Sequence, residues 1–326
     1  MAFPSKDGPN SYVWKLKDIY NARQGDNWPT AYIASTDTGF SMGGEEDGYT
    51  NIIDYVNITS GGQALDYGDL ATAATGGGVS TATRVVHGGG GTPGGMQNVI
   101  EYFEIAVKGN TTDFGDLTVA RDRDPGINNN TRGLFCGGTV PGAYTNVIDY
   151  ITIASTGNAT DFGDMISPGL GGGTNNVNSP TRGVVMGGGN PSRSDIIQYI
   201  TFSSTGNMTD FGDIAAGGTL LNAGAASSTR GLYAGGDGPG GGNQIGFITI
   251  ASTGNSTDFG DLTYATAEGL VGMSNSTIGL FGGGQAPNTL LNKVTIASTG
   301  NAVDYGNLTT RHSEGAASSG SHGGLS

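Results

Sequence analysis

Cysteine is all but missing from this chain: Cys136 is the single one in 326 residues. An intrachain disulfide framework is therefore excluded, and stability must come from packing. Cys136 itself reads as a small apolar residue inside a strand. Histidine is nearly as scarce, with only His87, His312 and His322. No zinc-ligand spacing, nucleophile elbow or phosphate loop accompanies them, so the expectation is a protein that is not an enzyme and carries no cofactor or metal. Basic residues are few as well, 14 against 28 acidic ones, for a net charge of −14. Such a body is repelled by phosphate backbones, which argues against nucleic-acid binding. No apolar run reaches the roughly 18 residues of a membrane span, and no signal-peptide pattern follows Met1, so neither membrane insertion nor export by that route is expected.

Glycine is what the chain has in excess: 62 residues, with only 35% of the sequence hydrophobic. One large core is improbable on those numbers, whereas many thin elements joined by turns suit both. The glycines are placed in register. Asp-aromatic-Gly-Asp recurs at Asp66, Asp113, Asp161, Asp210 and Asp258, with a weaker copy at Asp304. An apolar tripeptide ending in Gly-Gly falls in step at Gly43, Gly89, Gly137, Gly187, Gly235 and Gly283. The period of about 48 residues fits a helical pair or a propeller blade, and residue type decides between them. The segment NVIDYITIAS from Asn146 is β-branched, aromatic and alternating, and RGLFCGG from Arg132 runs β-formers into a double glycine. Both read as strands, and helix signals are absent from every repeat.

Each unit thus reads as four strands: a short one of small residues such as GAASS from Gly224, then RGLYAGG, QIGFITIAS and TDFGDL. In a propeller the small-residue strand lies innermost, where blades converge. The expectation is an all-β, six-bladed propeller over residues 31–326, with units near 31–80, 81–129, 130–179, 180–227, 228–275 and 276–311. The first unit lacks a small-residue strand before GFSMGG at Gly39, and the missing piece recurs at the far end, where residues 315–319 repeat GAASS letter for letter. Residues 315–319 are expected to close the ring as the innermost strand of blade one, which removes the open sheet edges that invite aggregation.

The order Gly-Gly, Asn-Val-Ile-Asp-Tyr, Asp-Phe-Gly and then Arg resembles the kelch repeat, with Phe or Tyr where kelch has Trp. The wording TRGLFCGG…NVIDYITIASTGNATDFGD also resembles repeats in structural proteins of marine bacteriophages, cyanophages among them. The opening YVWKLKDIYNARQGDNWP, from Tyr12, resembles the leader before exchangeable domains in phage tail and fibre proteins. These resemblances imply a virion protein, assembled in the host cytoplasm into a symmetric particle and contacting other virion proteins and a host-surface glycan or protein; the alternatives are a carbohydrate-binding propeller or glycan-active enzyme, and a purely architectural spacer.

The repeated Asp pairs read as structural turn residues whose carboxylates cap backbone N–H groups, since near-copies of one motif are what a turn produces. Arg84, Arg132, Arg182 and Arg230 share one repeat position, replaced by Thr38 and Ile278 in blades one and six, and read as braces between blades. The loops after Gly-Gly share almost nothing, and those after the fourth strand differ too, whereas the STGN turns scarcely vary. Both diversified sets emerge on one face, where loops on a rigid scaffold contact partners. Candidate contact residues there are Glu45, Glu46, Asp47, Tyr144, Arg193, Asp237 and Asn288. In residues 1–30, Val13, Leu16, Ile19, Tyr20 and Arg23 fall at helical spacing, and both tryptophans lie in that segment. A short helical leader presenting Trp14, Leu16, Ile19, Tyr20 and Trp28 is the expected anchor to another virion protein.

Overall fold

The computed structural model describes residues 37–45, 48–167, 177–189, 192–238, 242–265, 269–285 and 289–325. The chain divides into two units, 1–33 and 34–326, and all described residues belong to the second. The predicted leader helix with Trp14, Leu16, Ile19, Tyr20 and Trp28, and the loop residues Glu46, Asp47 and Asn288, lie outside the described residues.

Six antiparallel sheets of four or five strands lie in a propeller arrangement with one two-stranded hairpin beside them, and the described residues contain no α-helix. Blade three shows the pattern. Gly126–Asn128 pairs with Arg132–Cys136, that strand with Val147–Thr152, and the last with the outer strand Thr160–Asp164. Alternation places Leu134, Cys136, Ile148 and Phe162 in one buried cluster with Val185, Ile200 and Phe202 of blade four. The core therefore lies between blades rather than inside any one of them, and each sheet buries its apolar side chains against a neighbour. Between blades one and two the packing is aromatic: Phe40, Tyr67 and Phe103 meet with ring centroids 4.7 to 5.2 Å apart.

The sheets are offset from the sequence units. Gly77–Ser80, at the end of the unit drawn as 31–80, pairs with Arg84–Gly88 of the next, and Ala223–Ala226 pairs with Arg230–Ala234 in the same way. Blade one takes its innermost strand from the opposite end of the chain, since Ala316–Ser319 pairs antiparallel with Thr38–Met42. The register departs from the letter match. Ser319 faces Gly39 as Ala226 faces Gly231, so the two GAASS segments are displaced by two residues in the sheets. Two residues is one strand period, so the same faces still point inward.

Each innermost strand ends on one equivalent residue: Ser319, Ser80, Asn128, Asn178, Ala226 and Ser274. Their side chains stitch neighbouring blades. The Ser80 N–H donates to Asn128 Oδ1 (3.2 Å), Asn128 N–H to Asn178 Oδ1 (3.0 Å), Ala226 N–H to Ser274 Oγ (3.1 Å) and Ser274 N–H to Ser319 Oγ (2.9 Å). Ala226 has no such acceptor to offer, and there the chain end comes in: the Gly323 N–H donates to Ala226 O at 2.9 Å. The tail beyond Ser319 is not a solvated polar appendage. Gly323 and Gly324 pass so close to the Asn178, Ser227 and Asn128 carbonyls that a Cβ at either would stand 2.1 to 2.3 Å from an oxygen. His322 is buried with its Nε2 3.1 Å from Asn128 Nδ2.

Candidate functional site

The turns joining third and fourth strands form one face. Their near-constancy has a direct cause. In blade three the Asn158 Oδ1 accepts the Asp116 N–H of blade two (3.1 Å), while the Gly157 and Ala159 N–H groups donate to Phe114 O and Asp116 O (both 2.8 Å). The same set joins Asn207 to Asp164, Asn255 to Asp213 and Asn301 to Asp261. The glycine of Asp-Phe-Gly-Asp is required because the next turn lies against it: a Cβ on Gly163 would stand 2.5 Å from the Gly206 carbonyl. The motif is thus structural, but its place is an outer strand rather than a turn, and mostly its backbone rather than its carboxylates makes the bonds. Asp161 and Asp210 point outward, exposed on the rim, where charge on an edge strand discourages pairing with another chain.

The arginine braces are present. Nη1 of Arg84, Arg132, Arg182 and Arg230 donates to Ile153 O (3.0 Å), Phe202 O (2.6 Å), Ile250 O (3.0 Å) and Ile296 O (2.9 Å), each in the following blade. Each guanidinium also covers an aromatic ring of its own blade at 4.3 to 5.3 Å from the centroid. Blades one and six, which lack the arginine, have Tyr67 and Tyr305 where the others have Phe in Asp-Phe-Gly. The Tyr305 hydroxyl donates to Ile58 O at 2.5 Å, and the Tyr67 hydroxyl lies 2.8 Å from Glu104 O and Val107 O and 3.4 Å from Ile105 O. Ile58 and Ile105 hold the same place, one residue past the third strand, as Ile153.

On the opposite face the diversified loops meet one another. Arg193 and Asp237, both expected there, form an ion pair between the loops of blades four and five. Tyr144 is half-buried in a small hairpin of Thr139–Val140 with Ala143–Tyr144. Glu45 is exposed and 3.8 Å from the guanidinium of Arg123, which also pairs with Glu314 and approaches Asp122 at 3.9 Å. Arg123 and Glu314 both adopt left-handed backbone, φ 58° and 57°, which is costly for residues with a side chain. Sequence reasoning missed Asp122, Arg123 and Glu314. They lie in loops after fourth strands, a set recognised as variable, but nothing local marks Arg123 and Glu314 as partners across 191 positions.

Beneath these loops sit buried charges. Asp149 accepts the Thr118 N–H (3.1 Å) and Oγ1–H (2.7 Å) and pairs with Arg121 at 2.8 Å. Asp54 lies 3.3 Å from His312 Nε2. Burial opposes its ionisation, but hydrogen bonds from His312 and Thr309 hold the carboxyl below its ordinary range. Burial pushes Asp124 up to about 8, against the pull of Arg121, and lowers His322 to about 3. All three histidines are buried, so they support the scaffold instead of facing a cleft. Among the described residues no group of three His, Cys, Asp or Glu side chains is placed to hold a metal ion. Cys136 is buried in the cluster between blades three and four, where burial raises its thiol pKa.

No family model matches the chain, and no curated protein matches it. The geometry and the residue pattern therefore carry the functional reading.

Proposed function

We propose that this chain is a non-enzymatic component of a phage particle, a kelch-like propeller closed by its own C-terminal strand and tethered through residues 1–30. The observation that carries the reading is the division between the two faces. The turn face is made uniform by blade-to-blade bonds that any change would break, so its constancy is explained by structure. The loop face lacks that repeated set of bonds, differs in every blade and stands on a base fixed by buried groups such as Asp149 and Asp54. Rigid support under variable loops is the arrangement of a recognition surface. The described chain begins at Asp37, which accepts the Ile58 N–H at its backbone oxygen (2.9 Å) and the Thr59 hydroxyl at its carboxylate (2.9 Å), on the turn side of blade one. The loop face is the one proposed for contact with a host surface or a neighbouring protein.

The test is to locate the chain in purified particles and then to exchange the loops beginning at Glu45 and Asp237 for those of other blades. Presence in the particle with loss of host attachment is expected. Absence from particles contradicts the virion role, and attachment unaffected by the exchange reduces the ring to an architectural spacer.

A further inference from the structure

Blade two contains an internal standard for a site that is unfilled in three other blades. There Arg84 uses Nη1 for the brace and the ring of Tyr102 for its face, and its remaining edge is taken by Glu104: Nε and Nη2 donate to Oε1 at 2.8 and 2.5 Å. Arg132, Arg182 and Arg230 make the same Nη1 bond and cover the same kind of ring. At the position of Glu104, however, blades three, four and five carry Thr152, Thr201 and Thr249. No carboxylate of the described residues pairs with these three arginines.

We propose that the Nε–Nη2 edges of Arg132, Arg182 and Arg230 are three copies of one carboxylate-binding subsite, each taking an acidic sugar unit of a glycan. The planar fork presents two parallel donors matched to a carboxylate, and the brace holds it in place, so little side-chain freedom is lost on binding. In blade two a carboxylate occupies that edge, with Glu104 Oε1 accepting from both Nε and Nη2. Arg132 also lines an open depression of about 320 Å³ on its blade-four side, with Asn129, Thr131, Thr181, Thr201, Phe202 and Ser203. Those neutral hydroxyls and amides suit the hydroxyls of a sugar ring, and the space exceeds what one carboxylate needs. The net charge of −14 and the aspartates along the outer strands disfavour a dense polyanion. The ligand class is therefore a glycan with isolated uronic-acid units among neutral sugars. Three like sites on consecutive blades suit a repeating ligand, whose linked units bind with an effective concentration in the millimolar range. The sites lie on the turn face of blades three to five, across the ring from blade one where the described chain begins.

The test needs no loss of the brace. Thr152→Glu, Thr201→Glu and Thr249→Glu together place in each blade the carboxylate that Glu104 supplies in blade two. Binding is measured by titration calorimetry on the full chain, using an oligosaccharide with one glucuronic acid per repeat and the same oligosaccharide with that carboxyl reduced. The intact sugar is expected to bind the native chain, and affinity should fall at least about tenfold on carboxyl reduction or in the triple variant, whose melting temperature stays at or above the native value. Absence of binding at about 10 mM sugar, or equal affinity for the reduced sugar, overturns the proposal. So does binding that survives the three glutamates. Should the triple variant instead lose capture of a partner protein while no sugar binds, the edges belong to protein carboxylates and the glycan assignment is wrong.

Discussion

Blades two to five hold their neighbours by an arginine at the head of the second strand, whereas blades one and six have Thr38 and Ile278 there and reach the next blade with a tyrosine hydroxyl from the outer strand. The acceptor is the same in kind: the carbonyl at the end of the following third strand, or in blade one that carbonyl and its close neighbours. The brace is thus a requirement of the interface, and the residue supplying it is not. The two solutions differ in consequence. Arginine presents a further charged edge beside the bond it makes, taken by Glu104 in blade two, and the tyrosine hydroxyl presents none. Blades one and six adjoin where Ala316–Ser319 pairs with Thr38–Met42, and that join depends on residues far apart in sequence.

Breaking the join should have the largest effect. Deleting residues 312–326 removes the innermost strand of blade one, the His312–Asp54 contact and the tail over the inner strand ends. A loss of at least about 5 kcal/mol is expected, comparable with the whole stability of many domains, read as disappearance of the cooperative melting transition. Retention of a native transition would show that blade one stands without its C-terminal strand.

Within the shared scaffold, Gly163→Ala and Gly157→Ala separate close approach from backbone strain. Both glycines have left-handed φ, 147° and 153°, but only at Gly163 would a Cβ meet the next blade's carbonyl. About 1 kcal/mol is expected for Gly157→Ala and about 3 kcal/mol or more for Gly163→Ala in denaturant unfolding. Equal costs would remove contact with the neighbouring turn as the reason for the motif.

The tail adds a pH dependence of definite sign. The unfolded chain protonates His322 near its ordinary 6.5, whereas the folded chain, burying it, resists until about 3. Stability must fall as pH drops through that window, by up to about 1.4 kcal/mol per pH unit for one such group. His87, lowered by burial against the opposing pull of Glu101, acts in the same direction. Asp124, raised by burial to about 8, favours the folded state at low pH and loses that contribution as pH rises towards 8. Melting temperatures between pH 7 and 4.5 should fall less steeply in His322→Gln than in the native chain, and parallel curves would contradict the buried, neutral tail histidine. At the small end, Arg193→Ala should cost under about 1 kcal/mol by thermal unfolding, because its pair with Asp237 lies at the exposed loop face.

The blade count and strand order were readable because backbone geometry drives the motifs: the Asp-Phe-Gly glycine and the turn asparagine recur wherever one blade lies on the next. The pairing of the 315–319 segment with Thr38–Met42 was readable too, but its register was not, since a run of small residues fits a sheet equally well when displaced by one period. The tail's burial escaped notice because Ser, Gly and His look like solvated residues unless the carbonyl-lined gap at Ala226 is known. Loss of Arg in blades one and six and the appearance of Tyr67 and Tyr305 were both visible in the letters. Their connection was not, because it depends on two strands of one blade aiming at a single place in the next. Arg193 and Asp237 were picked as surface contacts without any sign that they face each other.

The exchange of brace is tested most directly by a double-mutant cycle in blade three, where Arg132 and Phe162 share a blade and face Phe202 O of blade four. Arg132→Thr alone should cost about 2 kcal/mol, from a charged hydrogen bond and the contact over Tyr150. Phe162→Tyr in the native background should be neutral or slightly destabilising, since the carbonyl is already taken. Combined, the tyrosine should restore at least about 0.5 kcal/mol of what the arginine's loss removed. Strict additivity of the two changes in denaturant unfolding would contradict the account that arginine and tyrosine serve one interface.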